Sequence, residues 1–114
     1  MAKPKKRRPR AATPTTDYAD AEGNVLTLRQ ELSRGTVRKL GEGPGSAAAS
    51  VDDAWQRREE AMFERLAVSW TIAGMAIDDQ KMLLGRYRMA SAEERRWVRE
   101  TIASHVARFI PELA

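Results

Sequence analysis

Three groups of residues in this 114-residue chain could do chemistry: the single histidine, His105; an ill-placed carboxylate, Glu59; and five arginines between positions 86 and 99. His105 falls in the middle of an apolar stripe near the C-terminus, four residues from Thr101 and four from Phe109. One imidazole without a carboxylate or cysteine cluster makes a poor metal site. No serine or aspartate stands at a local spacing that would build a triad with it. His105 therefore reads as a core histidine with one hydrogen-bond partner, and a neutral buried imidazole would lower stability below about pH 6–7. Glu59 shares a helical face with Trp55, Met62, Phe63 and Leu66, where a carboxylate is costly unless paired. The expectation is a glutamate at the mouth of the core, met by an arginine. The functional alternative is a perturbed acid in a pocket. A pocket uniting Glu59, His105 and an arginine would be the sign of an enzyme.

Arg86, Arg88, Arg95, Arg96 and Arg99 surround the turn between the last two expected helices, with Tyr87 and Trp97 among them. Basic side chains beside exposed aromatics can hold single-stranded nucleic acid by backbone attraction and base stacking. These arginines and Trp97 are thus candidates for phosphate or partner contact. Glu93, Glu94 and Glu100 are interspersed, as on an ordinary solvated face. The turn Tyr87-Arg88-Met89-Ala90-Ser91 also lacks the glycine often seen in a helix–turn–helix. Trp97 lies about 100° from Val98 on a helix, so it edges the core or faces a partner. Gly41, Gly43 and Gly45 suggest a phosphate loop, but no strong strand precedes them and no Gly-Lys-Ser/Thr closes the motif. No nucleophile, metal cluster or cofactor loop is assembled, so neither an enzyme nor a cofactor is expected.

Charge and composition bound the remaining classes. The net charge is +4, and Lys3, Lys5, Lys6, Arg7, Arg8 and Arg10 contribute six positive charges, leaving −2 for the rest. The absence of cysteine excludes disulfides and thiolate metal sites. A basic N-terminus without an apolar core after it does not make a secretory signal. The most apolar run, Ala61 to Ile77, contains Glu64 and Arg65 and falls short of the ~20 residues of a membrane span. A cytoplasmic protein without a membrane segment is expected.

Residues 1–16 carry the six cations and Pro4, Pro9 and Pro14, and are expected to be a disordered basic tail that attracts polyanions. Residues 17–40 read as a small hairpin plus a short helix. Tyr18-Ala19 and Val25 to Leu28 flank a turn holding Gly23-Asn24, Leu26 and Leu28 anchor the strand, and Ser33 caps a helix to Leu40. Residues 41–50 are a Gly/Ala/Ser linker. Residues 51–114 read as a helical bundle. Its main helix would run from Val51 to Ala73, started by the Ser50/Asp53 pair and stopped by Gly74. Asp78 would cap a second helix from Asp79 to about Met89, with Gln80, Leu83, Leu84, Tyr87 and Ala90 inward. Ser91 with Glu94 forms a capping box for a last helix from Ala92 to Phe109, striped by Val98, Thr101, Ile102, His105, Val106 and Phe109. The fold class expected is mainly α: a small three-helix bundle with an N-terminal β-hairpin or strand segment.

At Asp53 to Arg57, Phe63 to Gly74 and Arg86 to Ser91 the chain resembles small uncharacterised proteins of high-GC actinobacteria, over about Tyr18 to Leu113. That resemblance implies no activity and transfers no site residues. A looser similarity is to tail-assembly chaperones of phages, which also join a short strand segment to a small helical body. A helix apolar nearly all round must be covered on more than one side. The function expected is therefore a non-enzymatic interaction module that self-associates as a homodimer or docks on a protein partner, with a polyanion-binding tail. The alternatives are a nucleic-acid- or ribosome-associated protein, or an adaptor similar to the phage chaperones.

Overall fold

A computed structural model describes residues 14–42 and 51–114, the side chains of 51–55 excepted. The elements are β1 (Thr15–Ala19), β2 (Val25–Arg29), α1 (Arg34–Gly41), α2 (Val51–Leu66), β3 (Ala67–Ile72), β4 (Met75–Ile77), α3 (Gln80–Arg88), α4 (Ala92–Phe109) and a 3-10 turn (Pro111–Leu113). The strands form one antiparallel sheet in the order β1-β2-β3-β4. The protein is thus α+β, and the expected three-helix bundle is overturned.

The N-terminal hairpin forms where the turn residues place it. Asp20 accepts at one carboxylate oxygen from the backbone of Glu22 (2.8 Å) and Asn24 (3.0 Å), and Gly23 takes a φ of 84°. Leu26 and Leu28 are fully buried on the helix-facing side of β2. β1 begins at Thr15, two residues inside the stretch expected to be tail. α1 is capped by Ser33, whose hydroxyl accepts from the Thr36 backbone at 3.2 Å. The six tail cations, residues 43–50 of the expected linker, and the Ser50/Asp53 cap lie outside what is described, as does the Trp55 side chain; Gly41 and Glu42, expected to begin the linker, are the last residue of α1 and its C-cap.

The correction falls on the helix expected from Val51 to Ala73. It ends at Leu66, and Ala67 onward is strand. Val68, Trp70, Thr71 and Ile72 are β-branched or aromatic, which favours a pleated, half-buried surface over a helix. Ala73 and Gly74 have φ of 52° and 81°, the paired positive values of a two-residue hairpin turn. Gly74 therefore turns a hairpin and does not stop a helix. The unsatisfied carbonyls at the end of α2 find distant donors. An Arg29 Nη donates to Arg65 (3.0 Å) and Ala67 (3.3 Å), and the Gln80 amide donates to Glu64 (3.2 Å).

A bulge explains which β3 side chains face inward. Thr27 pairs with Ser69 but Leu28 pairs with Ala67, so Val68 is the extra residue. Ala67 and Trp70 both turn to the core as a result, three positions apart. Phe63 joins the layers: its ring stacks on Tyr87 at 4.7 Å between centroids and meets Trp70 edge-on at 5.8 Å. Met62, Phe63, Leu66, Ala67 and Trp70 are all buried within one chain. The surplus apolar rod that motivated self-association therefore does not exist.

The last two helices follow the sequence closely. Asp79, one residue beyond the expected Asp78, caps α3 by accepting from the Met82 backbone at 3.0 Å. Leu83, Tyr87 and Ala90 are buried as expected, whereas Gln80 is exposed and Leu84 half-buried. α4 opens with the capping box: Ser91 accepts from Glu94 and Glu94 accepts from Ser91, each at 3.1 Å. Ile110 and Leu113 are buried on either side of Pro111, so the 3-10 turn folds the chain end back against the core.

Candidate functional site

Val98, Ile102, His105 and Val106 are the buried positions of α4, and the helix divides two chemistries between them. His105 faces the sheet. Its Nε2–H donates to the Arg29 carbonyl at 2.7 Å, and Nδ1 accepts from the Tyr18 hydroxyl at 2.6 Å. The carbonyl can only accept, which fixes the tautomer. The residue is wholly buried, and burial holds its pKa below the ordinary value, with Arg108 acting in the same direction and the Arg29 carbonyl opposing. Both ring nitrogens are occupied in joining α4 to β1 and β2. One partner was expected and two are present.

Val106 lies about 100° round the helix from His105 and lines a different space. Between α2, α4 and the terminal turn runs a cleft of about 440 Å³, floored by Met62, Tyr87, Ile102, Val106 and Leu113. Arg58, Glu59 and Arg99 stand at its mouth. The expectation for Glu59 is met here: its carboxylate lies 3.8 Å from the Arg99 guanidinium and receives the Tyr87 hydroxyl at 3.5 Å. Both contacts are long, and Glu59 is a third exposed, so the pair contributes little to stability. Tyr87 is the group most affected: burial, then the Glu59 carboxylate, pushes its pKa up to about 12. The cleft unites Glu59 with Arg58 and Arg99, and His105 lies outside its lining.

Glu59, Tyr87 and Arg99 also form one wall of a neighbouring polar cleft of about 330 Å³. Gln56, Glu60, Arg88 and Arg95 complete it. Arg88 donates twice to one Glu60 oxygen, at 2.9 and 3.1 Å. Arg95 makes no ion pair among the described residues. The arginine cluster is thus split. Arg86 is taken up by Glu94 at 2.8 Å and lies over the Trp70 ring at 5.2 Å. Arg88 is taken up by Glu60, Arg95 and Arg99 face the polar cleft, and Arg96 is exposed. Trp97, half-buried against the core, lines a separate cleft with Asp20, Glu22, Glu93 and Glu94. Those carboxylates are unfavourable company for a base stacked beside a phosphate. Trp70 borders the same cleft, and its indole N–H is the one buried side-chain polar atom without a partner among the described residues.

Sequence spacing marked Glu59, Met62, Ile102 and Val106 as neighbours of the core. It did not mark Leu113 and Ala114, which reach the cleft only because the chain reverses at Pro111. Among the described residues, no group of three His, Cys, Asp or Glu side chains is placed to hold a metal ion. No helix of the described residues is long and apolar enough to cross a membrane. Comparison with protein-family models, curated proteins and solved structures returned no match for this chain.

Proposed function

We propose that the protein is a non-enzymatic binding module of the cytoplasm that docks a partner protein through the cleft between α2 and α4. The observation that carries this is the cleft itself: an open apolar floor, rimmed by Glu59 and arginines, with the only histidine turned away from it. Concave apolar surface with a few polar groups at its edge is where proteins bind ligands by default. The basic N-terminal arm enters the proposal separately, as a polyanion-seeking segment that would raise the local concentration of the module near nucleic acid.

The test is site-specific photo-cross-linking in cells producing the full chain. A benzophenone amino acid at Ala103, exposed at the cleft wall, is compared with one at Lys81, exposed and outside it. The expected result is a discrete cross-linked protein from position 103 that position 81 does not give. Equal, diffuse labelling from both positions would sink the docking reading. A nucleic-acid role for the body would show instead as cross-links to RNA or DNA from Arg95 and Arg96 positions.

A further inference from the structure

The two clefts adjoin at Glu59, Tyr87 and Arg99, which line both, and their chemistry is segregated along one helix. Arg95, Arg99, Ile102 with Ala103, and Val106 follow one another at three- and four-residue steps on one face of α4. They span about 16 Å, at 1.5 Å per residue, passing from cationic to apolar in the direction of the C-terminus. In the polar cleft Arg88, Arg95 and Arg99 stand against Glu59 and Glu60, an excess of one positive charge among the described residues. Arg88 is already satisfied by Glu60, and the Arg99–Glu59 approach of 3.8 Å is loose. The charge left over is therefore concentrated on Arg95 and Arg99, at one end of the groove.

From this we infer that the partner presents a short helix with carboxylates at one end and apolar side chains at the other, lying along α4. The inference rests on the docking reading above and gives the partner its chemistry. The apolar side chains occupy the space over Met62, Ile102 and Val106. The carboxylates replace the weak Glu59 contact of Arg99 and give Arg95 the counter-charge it lacks. Guanidinium–carboxylate pairing at the cleft end fixes direction, because a reversed helix would set carboxylates on the apolar floor, where they are costly. Tyr87 stays protonated between the two halves, so its hydroxyl keeps a hydrogen to donate to an incoming carboxylate.

The experiment uses two labelled helical peptides of about 14 residues. One has a glutamate block followed by a leucine-bearing amphipathic block, and its twin carries lysine in place of glutamate. Fluorescence anisotropy with the full chain, at low and at physiological salt, is expected to show the glutamate peptide binding roughly tenfold more tightly. The double variant Arg95→Glu with Arg99→Glu should reverse the preference, and Ala103→Arg should remove binding of both peptides while the circular dichroism spectrum stays unchanged. Equal binding of the twins, still abolished by Ala103→Arg, overturns the charge inference and leaves the docking reading standing. Binding of neither peptide overturns both. A dimer in light scattering that dissociates in the Arg95→Glu/Arg99→Glu variant, without peptide binding, overturns the partner in favour of a second copy of this chain.

Discussion

His105 shows how one buried imidazole ties helix to sheet and at the same time makes the tie sensitive to acid. In the folded chain its Nδ1 needs a donor, which Tyr18 supplies, and burial disfavours a second proton. The unfolded chain has no such restraint and takes up a proton near the ordinary value of about 6.5. As pH falls below that value, the unfolded state binds a proton that the folded state excludes, so stability declines. The decline begins near the ordinary value and continues down to the lowered folded one, with a slope of at most ~1.4 kcal/mol per pH unit. The chain has no other histidine, so the imidazole signals in NMR and the urea midpoint between neutral and mildly acidic pH report on the same group. Tyr18→Phe should cost about 1–3 kcal/mol, because it leaves Nδ1 buried and unpaired. An imidazole that titrates at or above the ordinary value, with a flat urea midpoint, would contradict the buried neutral assignment.

At the scale of elements, the helix that ends early is the instructive one. Phe63, Leu66, Ala67 and Trp70 are buried at three- and four-residue steps, the period of a helix face. Across Ala67 to Trp70 that spacing comes from the bulge at Val68, which adds one residue to a period of two. Periodicity alone therefore could not separate helix from bulged strand. The signals that could were residue types: Val68, Trp70, Thr71 and Ile72, followed by Ala73-Gly74 ahead of another apolar triplet. The N-terminal hairpin, the Ser33 cap and the Ser91/Glu94 box were legible because local geometry decides them. The cleft was only half legible, since Leu113 and Ala114 join it by a reversal no local pattern announces. The β3–β4 turn also carries a measurable strain. Ala73 holds φ at 52°, which costs an L-residue roughly 1–2 kcal/mol, while its backbone N–H donates to the Asn24 side chain at 3.0 Å. Ala73→Asn keeps that donor and tolerates the turn, so it should raise stability by about 0.5–1 kcal/mol, read from the thermal or urea midpoint. Gly74→Ala should lower stability by a similar amount through φ alone, since a Cβ there meets nothing within 4 Å. A neutral or destabilising Ala73→Asn would mean the turn is not the strained element it is here.

The whole molecule separates a body of net charge −2 from ten residues carrying +6, and that separation predicts how the chain meets polyanions. On the proposed reading phosphates would be drawn to the first ten residues and would meet mixed charge on the body, where Arg86 and Arg88 are already engaged by glutamates. Each neutralised phosphate releases counterions, so log affinity falls linearly with log salt at a slope of about 0.9 per contact. Removing the leader should therefore flatten the slope by up to ~5 units and weaken binding alike for all sequences. Where the chain is cut matters. The Gln30 backbone donates to the Pro14 carbonyl at 2.8 Å, and the Gln30 amide donates to Thr15 and Thr16 on β1. A chain starting at Thr13 keeps that edge strand, whereas one starting at Asp17 cuts into it and strips the pairs Thr15 and Thr16 make with Arg29 and Leu28. Salt-dependent binding of a random-sequence duplex oligonucleotide, measured for the full chain and for the Thr13 start, separates arm from body. Retention of the full slope by the shortened chain would move the polyanion site to Arg95, Arg96 and Arg99. That outcome would bring nucleic acid into competition with the acidic helix for the same end of the groove.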